Sequence, residues 1–201
     1  MSNLLNELAN AESKTLRPEI LEQLKVISGK IVACDPLISR HTPFERTIQP
    51  GAYPVIAWWH VEENCIAGAE LKLSESRPVR WEMATVPGQN VEELEEGYIF
   101  GYPVDTGLGC FADLKAIEKM DELEEKLQSE RGEDFISLYD DLIDDLMTEH
   151  DDEWCNAVTD EDAGLNVIIF RSGYGDGFYA TYWGIDESGK IVSLVTDFQV
   201  I

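Results

Sequence analysis

Between Gly101 and Asp113 the chain reads GYPVDTGLGCFAD, passing from an apolar strand pattern through a two-glycine turn into a helical pattern. That order places Cys110 near a helix N-terminus, where the helix dipole lowers a thiol pKa and makes it a nucleophile. Asp113 and the N–H groups before it define the helix start. The competing reading is a buried turn cysteine. A nucleophilic cysteine needs a base, and His41, His60 and His150 are the candidates, none singled out by spacing. His60 follows Trp58-Trp59 and suits a core or sheet-edge position, whereas His150 lies in a charged run and suits solvent. Asp105-Thr106-Gly107 also matches the tripeptide of aspartic proteases, in which two such aspartates share a proton, but the chain carries a single copy.

A second glycine-rich turn, Arg171-Ser-Gly-Tyr-Gly-Asp-Gly177, permits positive φ angles and the close approach of a ligand or another backbone. No helix follows it, so it lacks the dipole of a phosphate or dinucleotide site, and no cofactor is expected. The glycines also suit simple hairpin geometry, with Asp176 bonding the local backbone. A hydrolase-like or small-ligand site would draw on Asp105, Cys110, Asp113 and Asp176 near turns and strand ends, with Asp197 as an optional addition and Gly107, Gly109, Arg171, Gly175 and Gly177 as ligand-binding positions. It requires the two turns to meet.

Metal chemistry is not expected. Cys34, Cys65, Cys110 and Cys155 lack zinc-ligand spacing and read as free buried thiols. Asp140, Asp141, Asp144, Asp145, Glu149, Asp151, Asp152 and Glu153 share helix faces but lack the ligand order and central glycine of an EF-hand, so they read as a solvated face.

The elements that position these residues follow from periodicity. Leu4, Leu5 and Leu8 predict one short helix, and Ile20, Leu21, Leu24 and Ile27 after Pro18 predict a second, giving a helical lead-in over 1–28. Short β-branched and aromatic runs over 30–105 predict antiparallel strands, with residues 35–52 as a long ordered loop. Stripes Leu114-Ile117-Met120-Leu123-Leu127 and Phe135-Leu138-Leu142-Leu146 predict an acidic helical hairpin within 111–150, broken at Gly132. Residues 154–201 read as antiparallel strands. The expected fold is a single α+β domain, mostly an antiparallel sheet or sandwich, with N-terminal helices and the hairpin inserted. The five tryptophans all fall in predicted strands, and consecutive Trp58 and Trp59 must point to opposite faces.

Forty acidic against fifteen basic residues in 201 give a formal charge of −25. Residues 118–162 hold nineteen acids and three bases, so the excess is regional. Such a field repels nucleic acid and anionic lipid and attracts a basic protein. No stretch is apolar enough for a membrane span, and the first twenty residues lack the pattern of a secretory signal, so a cytoplasmic location is expected.

Six motifs occur in order: Ala33-Cys-Asp-Pro-Leu37, Pro50-Gly-Ala-Tyr-Pro-Val55, Arg80-Trp-Glu-Met-Ala84, Val104 to Asp113, Gly175-Asp-Gly177 and Leu194-Val-Thr-Asp-Phe198. Together they resemble an uncharacterised bacterial family, domain of unknown function 4241. Its Asp-x-Gly-x-Gly-Cys segment is matched at Asp105, Gly107, Gly109 and Cys110, and its Gly-Asp-Gly at Gly175, Asp176 and Gly177. The resemblance implies strand and turn signatures rather than an ordered acid, base and nucleophile, and it marks the acidic helices as a variable part.

Two functions from different classes follow. One is a non-enzymatic, cytosolic protein-binding module of immunity or antitoxin type, presenting carboxylates to a basic partner. The other is the hydrolase-like or small-ligand site around Asp105, Cys110 and Asp176.

Overall fold

The computed structural model describes residues 2–10, 13–38 and 42–201, and forms two antiparallel sheets with helices on their outer faces. The expected α+β class is observed. The larger sheet runs β1 (Leu16–Val26), β3 (Gly51–His60), β4 (Cys65–Lys72), β11 (Ile191–Asp197), β10 (Gly177–Ile185) and β5 (Arg80–Met83), and β6 (Tyr102–Val104) also pairs with β10. The smaller runs β2 (Ile31–Cys34), β7 (Leu108–Asp113), β9 (Leu165–Arg171) and β8 (Trp154–Asp160).

The second expected N-terminal helix is absent, because residues 16–26 are β1. Its helix-like apolar spacing has a different cause. The register with β3 slips between Ile20 and Gln23, and this bulge turns Leu21 and Leu24, three apart, into the same core. Ile20 and Ile27, which a helix would bury with them, are 70% and 42% exposed. Pro18 is tolerated because β1 is an edge strand. The outer edge of β1 is tied to the other sheet through Asn166 of β9, which accepts from Lys25 N at 2.9 Å and donates to Gln23 O at 2.9 Å.

Three apolar layers result. Leu24, Phe111, Phe170, Trp183, Leu194 and Phe198 fill the space between the sheets. Helix α1 (Asn3–Ala9), started by the Ser2 hydroxyl accepting from Leu5 N, lays Leu4 and Leu5 on Ala67 and Val195 across the larger sheet. On the far side, α2 (Leu114–Arg131) and α3 (Asp144–Thr148) cover the smaller sheet, burying Ile117, Met120, Ile143 and Met147. Strand β9 is covered on both faces, Val167 and Ile169 toward the helices and Ile168 and Phe170 toward the other sheet.

The second helix of the hairpin is shorter than expected and opens with a π-helical turn, Tyr139–Ile143. An extra residue in that turn moves the inward face by one. Ile143 and Met147 are buried after Leu138, in place of the expected Leu142 and Leu146, which are half-buried.

Candidate functional site

The two glycine-rich turns do meet. Ser172 N donates to Gly107 O at 3.1 Å, and a Cβ placed on Gly107 would lie 3.8 Å from the Gly175 Cα and 3.9 Å from an Arg171 guanidinium nitrogen. Gly107 has φ +70° and Gly175 φ +109°, conformations that favour glycine. The β6–β10 ladder ends with Val104 opposite Gly177, and the exposed Asp105 and Asp176 are the residues that leave it on either side. Inside, the Tyr179 hydroxyl donates to Gly175 O at 2.8 Å and its ring lies across Gly177, where a Cβ would come within 2.6 Å.

What holds the first turn is Asp35, a residue outside the expected site set. It is fully buried at the end of β2 and accepts from Asp105 N (3.1 Å), Thr106 N (3.0 Å), Leu37 N (3.0 Å) and the Thr106 hydroxyl (2.8 and 2.9 Å). A buried carboxylate is stable only when its oxygens are met by donors, and here four groups converge on it. The available signal was Asp35 itself, an acid inside the otherwise apolar motif Ala33–Leu37.

Cys110 departs from its expected place. It lies within β7, three residues before the helix cap, so the dipole argument does not apply. Fully buried under the helical layer, its Sγ is 3.6 Å from that of Cys34 on the paired strand. The hydrogen bond with Cys110, followed by burial, holds the Cys34 thiol well above its usual pKa. Burial pushes Cys155, on the other flank of β9, up to about 12. Enclosed on all sides, the Cys110 thiol has no path to a substrate.

Asp113 is also structural. As the buried N-cap of α2 it accepts from Lys115 N at 2.9 Å, while its other oxygen accepts from Ile27 N, Ser28 N and the Ser28 hydroxyl at 2.8 to 3.0 Å. Gly109 makes room for the Tyr102 hydroxyl and the Phe170 ring, 3.0 and 3.1 Å from where its Cβ would be. Arg171 donates from Nε to Asp152 O at 2.8 Å. Asp197, raised in pKa by burial, accepts from Gln199 N. His60 accepts from Glu63 N through Nδ1 and His150 stacks on Trp154, while His41 lies outside the described residues. The structure thus joins Asp105, Gly107, Arg171, Gly175 and Asp176, and separates Cys110 and Asp113 from them.

Beside this junction a cavity of about 370 Å³ opens between the sheets, walled by Ala33, Phe44, Ala84, Tyr102 and Thr181. Sixteen of the nineteen acids between residues 118 and 162 are exposed, eleven of them between Glu118 and Asp145 in the helical layer and five in the turns on either side of β8. The three bases of that span are each matched locally, Lys119 to Glu122, Lys126 to Glu130 and Arg131 to Asp141. Among the described residues no group of three or more His, Cys, Asp or Glu is placed to hold a metal ion, and no helix is long and apolar enough to cross a membrane.

None of the curated proteins and none of the solved structures compared with the chain matches it. A family model described as protein of unknown function (DUF4241) matches residues 24–196. That span holds Asp35, both glycine-rich turns and the helical layer, and the chain belongs to this family.

Proposed function

We propose that the protein is a cytosolic binding module that docks a basic partner protein on its helical layer, in the manner of immunity and antitoxin proteins. One observation carries the reading: most of the exposed acidic excess sits on the helical layer, whose bases at Lys119, Lys126 and Arg131 are already engaged. Like charges packed on adjacent helical turns repel one another. A basic surface relieves that repulsion, and the same field accelerates encounter. The hydrolase-like reading has less support, since Cys110 is enclosed and the two aspartates of the turn junction stand in solvent.

Affinity capture from the native cell, with bound proteins cross-linked and the sites mapped, tests the proposal. Capture of a basic protein cross-linked to residues 118–162, lost at high salt and lost in a Glu124→Gln, Glu125→Gln, Asp144→Asn, Asp145→Asn variant, is the expected result. Capture indifferent to both salt and these substitutions refutes it.

A further inference from the structure

The cavity of about 370 Å³ between the sheets lies apart from the acidic layer, beside β2 and between the end of β5 and the start of β6. Exposed Ile38 and Thr42 stand where it meets solvent. Ala33 and Ala84 leave room that larger side chains would fill, and Phe44, set edge-on to Trp183 with 5.9 Å between ring centres, gives a fixed aromatic wall. Among the described residues no ionised side chain lines it. An apolar cavity of about 150 Å³ takes up a benzene molecule. This one has room for a ring with a short substituent.

An unspent donor in the wall marks the cavity as a binding site. Tyr102 is only 7% exposed, and its hydroxyl has no hydrogen-bond partner among the described residues. Such a group costs free energy, because it has given up its water for nothing. Thr196 lies close enough to ease the cost in part, but its hydroxyl is already engaged with that of Thr181 at 2.9 Å. Burial holds the Tyr102 phenol well above its usual pKa, so it stays protonated and remains a donor. Gln89 adds a second donor to the wall: its amide oxygen accepts from Val86 N at 3.0 Å, which leaves the NH2 group to bind something else.

We infer that this cavity binds a small, uncharged ring compound bearing a hydrogen-bond acceptor, with the ring against Phe44 and the acceptor on the Tyr102 hydroxyl. Apolar walls with a few placed polar groups are how proteins hold and orient small molecules. The aromatic wall favours a ring. An ionised ligand would shed its water with no opposite charge on the described wall to meet it. The site is independent of the docking surface, and the failure of either leaves the other standing.

Titration with benzamide, followed through isotope-labelled alanine methyl groups, reads occupancy of the cavity directly. Saturable shifts of the Ala33 and Ala84 methyl resonances are expected, with a dissociation constant in the millimolar range. Benzoate should bind more weakly. Tyr102→Phe keeps the ring and removes the hydroxyl, so it should weaken benzamide at least about fivefold and leave the binding of toluene unchanged. The same variant should not lower the urea midpoint, because the lost group has no partner to miss. Ala84→Leu, which fills the cavity, should abolish the Ala33 shift with both probes; Tyr102→Phe keeps the test decisive if that variant fails to fold. Absence of saturable shifts with benzamide overturns the site. Benzamide and toluene weakened equally by Tyr102→Phe, or neither weakened, overturns the role of the hydroxyl, and tighter binding of benzoate overturns the uncharged class. A clear fall in the urea midpoint of Tyr102→Phe shows the hydroxyl to be partnered within the chain and removes the ground of the inference.

Discussion

Replacing Asp35 by asparagine keeps the side chain's shape and removes one accepting oxygen. In the wild type one carboxylate oxygen serves Leu37 N, the other serves Asp105 N and Thr106 N, and the Thr106 hydroxyl reaches both. Asparagine does best by turning its carbonyl toward Asp105 and Thr106, which confronts the Leu37 N–H with an NH2 group. One buried donor is then unpaired and the surviving bonds lose their charge. The combined cost is about 3–5 kcal/mol, against a total stability on the order of 5–15 kcal/mol. For a chain of this size that lowers Tm by roughly 6–20 °C. Urea unfolding, followed by tryptophan fluorescence, should show the midpoint falling with the slope unchanged. Hydrogen exchange at Asp105 and Thr106 should accelerate well beyond that of β9 amides. A loss below about 1 kcal/mol would refute the idea that Asp35 organises the turn. Asp105→Asn, on an exposed side chain, serves as the control and should stay within about 0.5 kcal/mol.

Gly177→Ala should cost about 1–3 kcal/mol, because the new methyl meets the Tyr179 ring and displaces its hydroxyl from Gly175 O; an unchanged urea midpoint would contradict this. A thiol reagent applied to the native protein at mild alkaline pH should label half-buried Cys65 first, and Cys34, Cys110 and Cys155 only as fast as the chain unfolds. Fast labelling of Cys110 would revive its candidacy as a nucleophile. Burial raises the carboxyl pKa of Glu70 and Asp197 above their unfolded values, so their contribution to stability is full below the ordinary carboxylate range and is lost as pH rises through the raised values. A Glu70→Gln, Asp197→Asn variant should therefore lose less stability than wild type between about pH 4 and pH 7, measured by urea midpoints; parallel profiles would refute the assignment.

The antiparallel sheets were legible because their strands are short, rich in β-branched and aromatic residues, and separated by turn formers. Residues 18–27 misled for a local reason, since a bulge imitates a helical turn when it places two leucines three residues apart on one face. The π-helical turn did the reverse, shifting an expected stripe by one residue without changing its element type. At the candidate site, glycine spacing foretold two turns but not that they meet. It did not foretell what supports them, because Asp35 acts on backbone groups about seventy residues away and a side chain says nothing of such distant donors. Cys110 misled because the strand continues to Asp113 before the helix begins.

The Asn166 clasp on β1 has a consequence for association between copies of the chain. An edge strand eleven residues long would offer a template on which another strand could zip. Here Pro18 removes a donor from that edge, the bulge at Ile20 and Gln23 twists it, and the Asn166 amide occupies Gln23 O and Lys25 N. The longest edge of the larger sheet is thus closed to strand addition by the chain's own smaller sheet, which protects a protein whose strand-rich core would otherwise invite aggregation.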